Sequence, residues 1–97
     1  MIDFYISKVS YDDQHISEVL VHDVFDDGSF DQNGQSCLRD EVVSSIKGGR
    51  IYFTIFKEDD EWQIGNRVEI ISVNGEEYLR TDPNEAEEDN LVDLPEF

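Results

Sequence analysis

The sequence predicts an α+β fold, an antiparallel β-sheet of about five strands in the chain order β-β-α-β-β-β with one short helix packed on one face. Three observations carry this reading. Apolar residues alternate with a period of two in several separate stretches. A single stretch has helical spacing, and Asn74-Gly75 is a strong two-residue hairpin signal.

Ile2 to Tyr11 sets Ile2, Phe4 and Ile6 on one side and Tyr5, Val9 and Tyr11 on the other, with Lys8 and Ser10 interrupting the first set. Asp12, Asp13 and Gln14 supply a turn, and His15 to Phe25 returns as a second strand, so the pair reads as an antiparallel hairpin. Asp26 to Ser36 reads as a loop anchored by Phe30, given its glycines, Asp, Asn and Ser. Leu38, Val42, Val43 and Ile46 then form one apolar stripe, which predicts a helix over residues 37–47. Ser36 is its expected N-cap and Gly48-Gly49 its stop.

Arg50 to Lys57 alternates Ile51, Phe53 and Ile55 against Tyr52, Thr54 and Phe56, so both faces are apolar and the strand should be central. Glu58, Asp59, Asp60 and Glu61 make the next turn, after which Trp62 and Ile64 are expected to close onto the core. Val68 to Val73 and Glu76 to Thr81 are the arms of the Asn74-Gly75 hairpin, and Asp82-Pro83-Asn84 ends regular structure. One domain, residues 1–97, is expected. Residues 82–97 form an acidic C-terminal segment whose Leu91, Val92, Leu94, Pro95 and Phe97 should pack back on the body.

The composition is unusual in its charge. The chain holds 24 acids against 7 bases, a formal charge of −17, and from Asp82 onward it has no Lys, Arg or His. Such a surface repels phosphate backbones and attracts cationic protein surfaces, which argues against direct nucleic-acid binding. Trp62, four Tyr and six Phe argue for a folded domain, since disordered acidic chains are poor in aromatics. A salt-adapted proteome is the other source of such a balance. The lone Cys37 excludes an internal disulfide, and no apolar run is long enough to span a membrane, so a cytoplasmic location is expected.

The pattern of Phe4-Tyr5-Ile6, Val9, Tyr11-Asp12, His15-Ile16 and Val19 at the start resembles a small uncharacterised bacterial family of one-domain proteins, a domain of unknown function. So does the run SVNGEEYLRTDPN followed by DNLVDLPEF at the end, where YLRTDPN and DNLVDLPEF are the most specific parts. The resemblance spans most of the chain and implies a compact fold with an integral C-terminal segment. It implies no activity. Glu85, Ala86 and Glu87 depart from the Gly-Thr-Lys-like turn that would be ordinary there, which marks this chain as an unusually acidic form.

No enzyme motif emerges. His15 and His22, seven residues apart on one strand, fall about 23 Å from each other at the usual rise, too far for one site. Ser29 to Asp40 imitates a calcium loop only loosely, with Ser at its first position and Asp at its twelfth, and no helix before it. No enzymatic activity, cofactor or metal is expected. The candidate partner-binding residues are the acids Asp12, Asp13, Asp26, Asp27, Glu58, Asp59, Asp60, Glu61, Glu76, Glu77, Glu85, Glu87, Glu88 and Asp89. Duplex DNA carries a charge about every 1.7 Å along its axis, and rows of carboxylates on turns can imitate it.

The sequence therefore predicts an acidic nucleic-acid mimic that occupies the DNA- or RNA-binding surface of a basic host protein. A phage or prophage inhibitor of the anti-CRISPR or anti-restriction type is its concrete form, acting on a CRISPR surveillance complex or a restriction enzyme. The alternative is a non-enzymatic adaptor or structural module that binds a basic protein surface.

Overall fold

The computed structural model describes residues 2–12, 15–81, 91 and 94–97. In chain order the elements are β1 (Phe4–Asp12), β2 (His15–Asp23), β3 (Gln35–Leu38), α1 (Arg39–Lys47), β4 (Tyr52–Glu58), β5 (Glu61–Arg67), β6 (Glu69–Val73) and β7 (Glu76–Arg80). Five strands form one sheet in the order β3-β2-β1-β4-β5, and β6 and β7 form a separate ribbon. The α+β class holds at this level, but the single antiparallel sheet is corrected to a mixed sheet plus a ribbon. β1 and β4 run parallel through Phe4↔Tyr52, Tyr5↔Phe53 and Ile6↔Thr54. The physical reason is the crossover: β3 and β4 point the same way, and α1 carries the chain between them across β2 and β1.

Two further expectations are corrected. The stretch read as loop and helix start contains β3, so the helix begins at Arg39, and Leu38, with no side-chain bond to offer, occupies the N-cap position instead of Ser36. Four residues are too few to show a period, and what makes them a strand is non-local pairing with β2, from Glu18↔Leu38 to Val21↔Gln35. Leu38 consequently sits 55% exposed at the sheet edge, outside the helical stripe. Similarly, Glu61–Arg67 is an edge strand, and Ile64 is 58% exposed rather than closed onto the core.

Two bulges decide which side chains reach the core. Ser7 is an extra residue in β1 between the pairs Ile6↔Val21 and Lys8↔Leu20, and Ser17 is an extra residue in β2 between Ser10↔Glu18 and Tyr11↔Ile16. Each insertion reverses the alternation, which brings Ile6 and Val9, and likewise Ile16, Val19 and Val21, onto one face. There they meet Val42 of α1, Tyr52, Val68, Leu79 of β7 and Leu91. The opposite face carries an aromatic cluster. Phe30 stands edge-on to Tyr5 at 5.2 Å, to His22 at 5.8 Å and to Trp62 at 5.5 Å. His22 is buried and bonded at both nitrogens, Nδ1 to the Asp31 carbonyl at 2.7 Å and Nε2 to Ser7 Oγ at 2.6 Å. The carbonyl only accepts, so Nδ1 carries a proton, and in the neutral ring Nε2 accepts from the serine hydroxyl.

After Ile6, β1 and β4 part, and C-terminal residues occupy the freed edge of β1. Val9 N–H donates to the Pro95 carbonyl and Phe97 N–H to the Val9 carbonyl, both at 3.0 Å. Leu91 is 1% exposed in the main core. The rest of the acidic segment, residues 82–90, 92 and 93, lies outside the described residues.

β5 also bulges, since Phe53↔Arg67 and Ile55↔Ile64 leave one extra residue on its side. Asn66 N–H donates to Thr54 Oγ1 at 3.0 Å, and a Cβ on Gly65 would lie 2.2 Å from that oxygen. Gly65→Ala should therefore cost about 1–3 kcal/mol in a urea melt. In a Thr54→Ala background the nearest contacts would be the Thr54 carbonyl oxygen at 3.3 Å and its Cβ at 3.4 Å, so the same substitution should cost measurably less. Equal costs in both backgrounds would place the constraint elsewhere.

Candidate functional site

Glu58 and Glu61 pair across a two-residue turn in which Asp59 and Asp60 have φ of 52° and 62°. Positive φ at both central residues is the type I′ geometry that suits the twist of a hairpin, and Asp tolerates it better than most residues. Asn74 and Gly75, with φ of 52° and 85°, repeat it between Val73 and Glu76. All four acids of the first turn are exposed.

Parallel pairing sends β1 and β4 toward the same end of the sheet, so Asp12 and the acids of residues 58–61 share that end. The β6–β7 ribbon is tied there as well. The Tyr78 ring stacks on His15 at 5.5 Å with 6° between planes, and its hydroxyl donates to Glu76 Oε2 at 2.7 Å. Asp12, Glu58, Asp59, Asp60, Glu61 and Glu76 thus form one acid-rich end. None of the six takes part in an ion pair among the described residues.

The other candidate acids are placed differently. Asp26 and Asp27 follow β2 and lie at the opposite end of the sheet. Asp27 closes its loop by accepting from Ser29 N–H at 2.9 Å and Ser29 Oγ at 2.6 Å, and these bonds hold its carboxyl below the usual range. Glu77 is engaged within the fold. Its carboxylate meets Lys47 Nζ at 2.6 Å, and its carbonyl accepts from the Arg39 guanidinium at 2.5 Å. Asp13, Glu85, Glu87, Glu88 and Asp89 lie outside the described residues.

Sequence reasoning missed a second group of acids. Asp23, Asp31 and Glu41 border a groove of about 330 Å³ between the β2–β3 end of the sheet and α1, over Val21, Val42 and Tyr52. Their sequence separations carry no pattern, and only the crossover brings them together. Cys37 faces this groove from β3, and burial, then Glu41 and Asp23, raise its thiol above the ordinary value. Among the described residues no cluster of three or more His, Cys, Asp or Glu could hold a metal ion, and no helix is long and apolar enough to cross a membrane.

These features define a small, acidic, mostly β domain of the α+β kind, in which six carboxylates with no ion-pair partner among the described residues share one end. The chain belongs to the family described as protein of unknown function DUF3892, whose model matches residues 5–95. No curated protein and no solved structure matches it.

Raising the thiol pKa lowers the thiolate fraction at a given pH, so Cys37 should react with iodoacetamide more slowly in the folded chain than in urea at pH 8. Glu41→Gln should move the midpoint of the folded chain's rate against pH downward. An unmoved midpoint would show that Glu41 does not act on the thiol.

Proposed function

We propose that the chain binds the cationic surface of a nucleic-acid-binding protein through its acid-rich end and thereby keeps nucleic acid off that surface. The observation that carries this reading is the grouping of Asp12, Glu58, Asp59, Asp60, Glu61 and Glu76 at one end, none of them in an ion pair among the described residues. Carboxylates accept from Arg and Lys much as phosphates do, bidentately from Arg. Two-residue turns at Asp59-Asp60 and Asn74-Gly75 set the backbone that presents Glu58 to Glu61 and Glu76, which limits the entropy lost on binding. The net charge of −17 steers a cationic partner from a distance and disfavours direct contact with nucleic acid.

One observation favours the adaptor reading. Among the described residues no strand pairs with the outer edge of β5, where Ile64 is exposed. An extended segment of a basic protein could add there by strand pairing. Competition separates the two, because an adaptor contact need not be relieved by nucleic acid.

The immobilised chain should retain nucleic-acid-binding proteins from a cell lysate and release them when duplex DNA or structured RNA is added. Retained proteins that ignore nucleic acid would overturn the mimicry. A variant carrying Glu58→Gln, Asp59→Asn, Asp60→Asn and Glu61→Gln keeps the turn, because Asn also adopts positive φ. It should bind the captured protein about tenfold or more weakly and with a shallower salt dependence, whereas Asp26→Asn at the other end should change neither.

A further inference from the structure

The fork where β1 and β4 part holds an apolar slot of about 130 Å³, lined by Ser7, Lys8, Phe56, Lys57, Trp62 and Pro95. Its lining is almost entirely carbon. An apolar cavity of about 150 Å³ holds a benzene ring, so this slot is the size of one small ring or a short acyl chain. Its two cations are the unexpected part. In a chain with 24 acids, Lys8 and Lys57 both border the slot, and neither has an ion-pair partner among the described residues. Lys57 Nζ lies over the Trp62 ring, 5.0 Å from its centroid, so this ammonium is held beside one wall of the slot.

The walls are held from behind. Trp62 packs on Phe30 and His22, Ser7 is bonded to His22, and Pro95 is fixed by the hydrogen bond from Val9 to its carbonyl. The apolar walls are therefore preformed, and the exposed Lys8 and the Trp62-stacked Lys57 border them. The geometry points to a binding site for a small apolar carboxylate, its ring or acyl group in the slot and its carboxylate between the ammonium groups of Lys8 and Lys57. A second copy of the acid-rich end does not fit this chemistry, since acids on short polar turns offer nothing to fill the apolar part. The inference is independent of the function proposed above, which rests on the acids.

Two sources present such a group, a free aryl or short-chain acid and the C-terminal residue of a peptide. Trp62, the only tryptophan, is a reporter at the site itself. Titration of the full chain with phenylacetate, and with a short peptide ending in Phe with a free carboxylate, should give a saturable change in Trp62 fluorescence for at least one. Saturation by phenylacetate alone identifies a free acid as the ligand, and tighter saturation by the peptide identifies a chain terminus. Phenylacetamide and the amidated peptide should bind about tenfold or more weakly, as should either carboxylate to a Lys8→Gln, Lys57→Gln variant. Both lysines are exposed, so that variant should keep the parent's circular dichroism and melting temperature. No saturable change with either carboxylate, equal binding of the amides, or full binding by the double variant would each overturn the site.

Discussion

The insertion of Ser7 into β1 reverses the strand's alternation halfway along, and much of the remaining structure follows from that reversal. Without it, Ile6 and Val9 would point to opposite faces, and neither face would have a continuous apolar surface. With it, both side chains enter one core against Val19 and Val21, and a second bulge at Ser17 brings Ile16 onto the same side. The bulged residue has its own task. Ser7 Oγ donates to His22 Nε2, while His22 Nδ1–H reaches the Asp31 carbonyl, so one buried ring links the centre of the sheet to the long β2–β3 connection. A buried polar ring bonded at both nitrogens fixes orientation in a way that an apolar residue of similar volume would not.

The same region sets the fork. β4 pairs with β1 only as far as Ile6↔Thr54, and beyond it Val9 exchanges hydrogen bonds with Pro95 and Phe97. A central strand thus has two successive neighbours on one edge, β4 and then the C-terminal residues. This leaves β1 without an unpaired edge at its centre, a usual hazard of an interrupted ladder. It also opens the apolar slot beside Trp62, because two diverging strands cannot keep their side chains in contact across the gap.

Much of this was legible in the sequence wherever the signal was local. The β1–β2 hairpin, the central β4, the Asn74-Gly75 ribbon and the body of α1 all follow from period, turn chemistry and the Gly48-Gly49 stop. What was not legible depends on non-local pairing. β3 has four residues and no period, β5 carries an exposed Ile64 where a core residue was expected, and nothing local distinguishes a parallel β1–β4 contact from an antiparallel one. The candidate site divides along the same line. Each acidic turn was visible, but the parallel contact decides that Asp12 shares an end with Glu58 to Glu61 while Asp26 and Asp27 do not.

The charge on those turns is more than turn chemistry requires. Asp59 and Asp60 have a conformational reason to be there, since short polar side chains tolerate positive φ. Glu58 and Glu61 have none. They lie directly opposite each other in the ladder, where two like charges oppose pairing by about 0.2–1 kcal/mol, and Thr or Tyr would suit the strand better. The β6–β7 ribbon shows the ordinary solution on the same scaffold, with Val73 opposite Glu76 beside its turn and Glu69 opposite Arg80 at its far end. A local rule broken in this way is expected at functional or strained positions. Under the binding proposed above, the guanidinium and ammonium groups of the partner would convert the repulsion between Glu58 and Glu61 into a shared attraction.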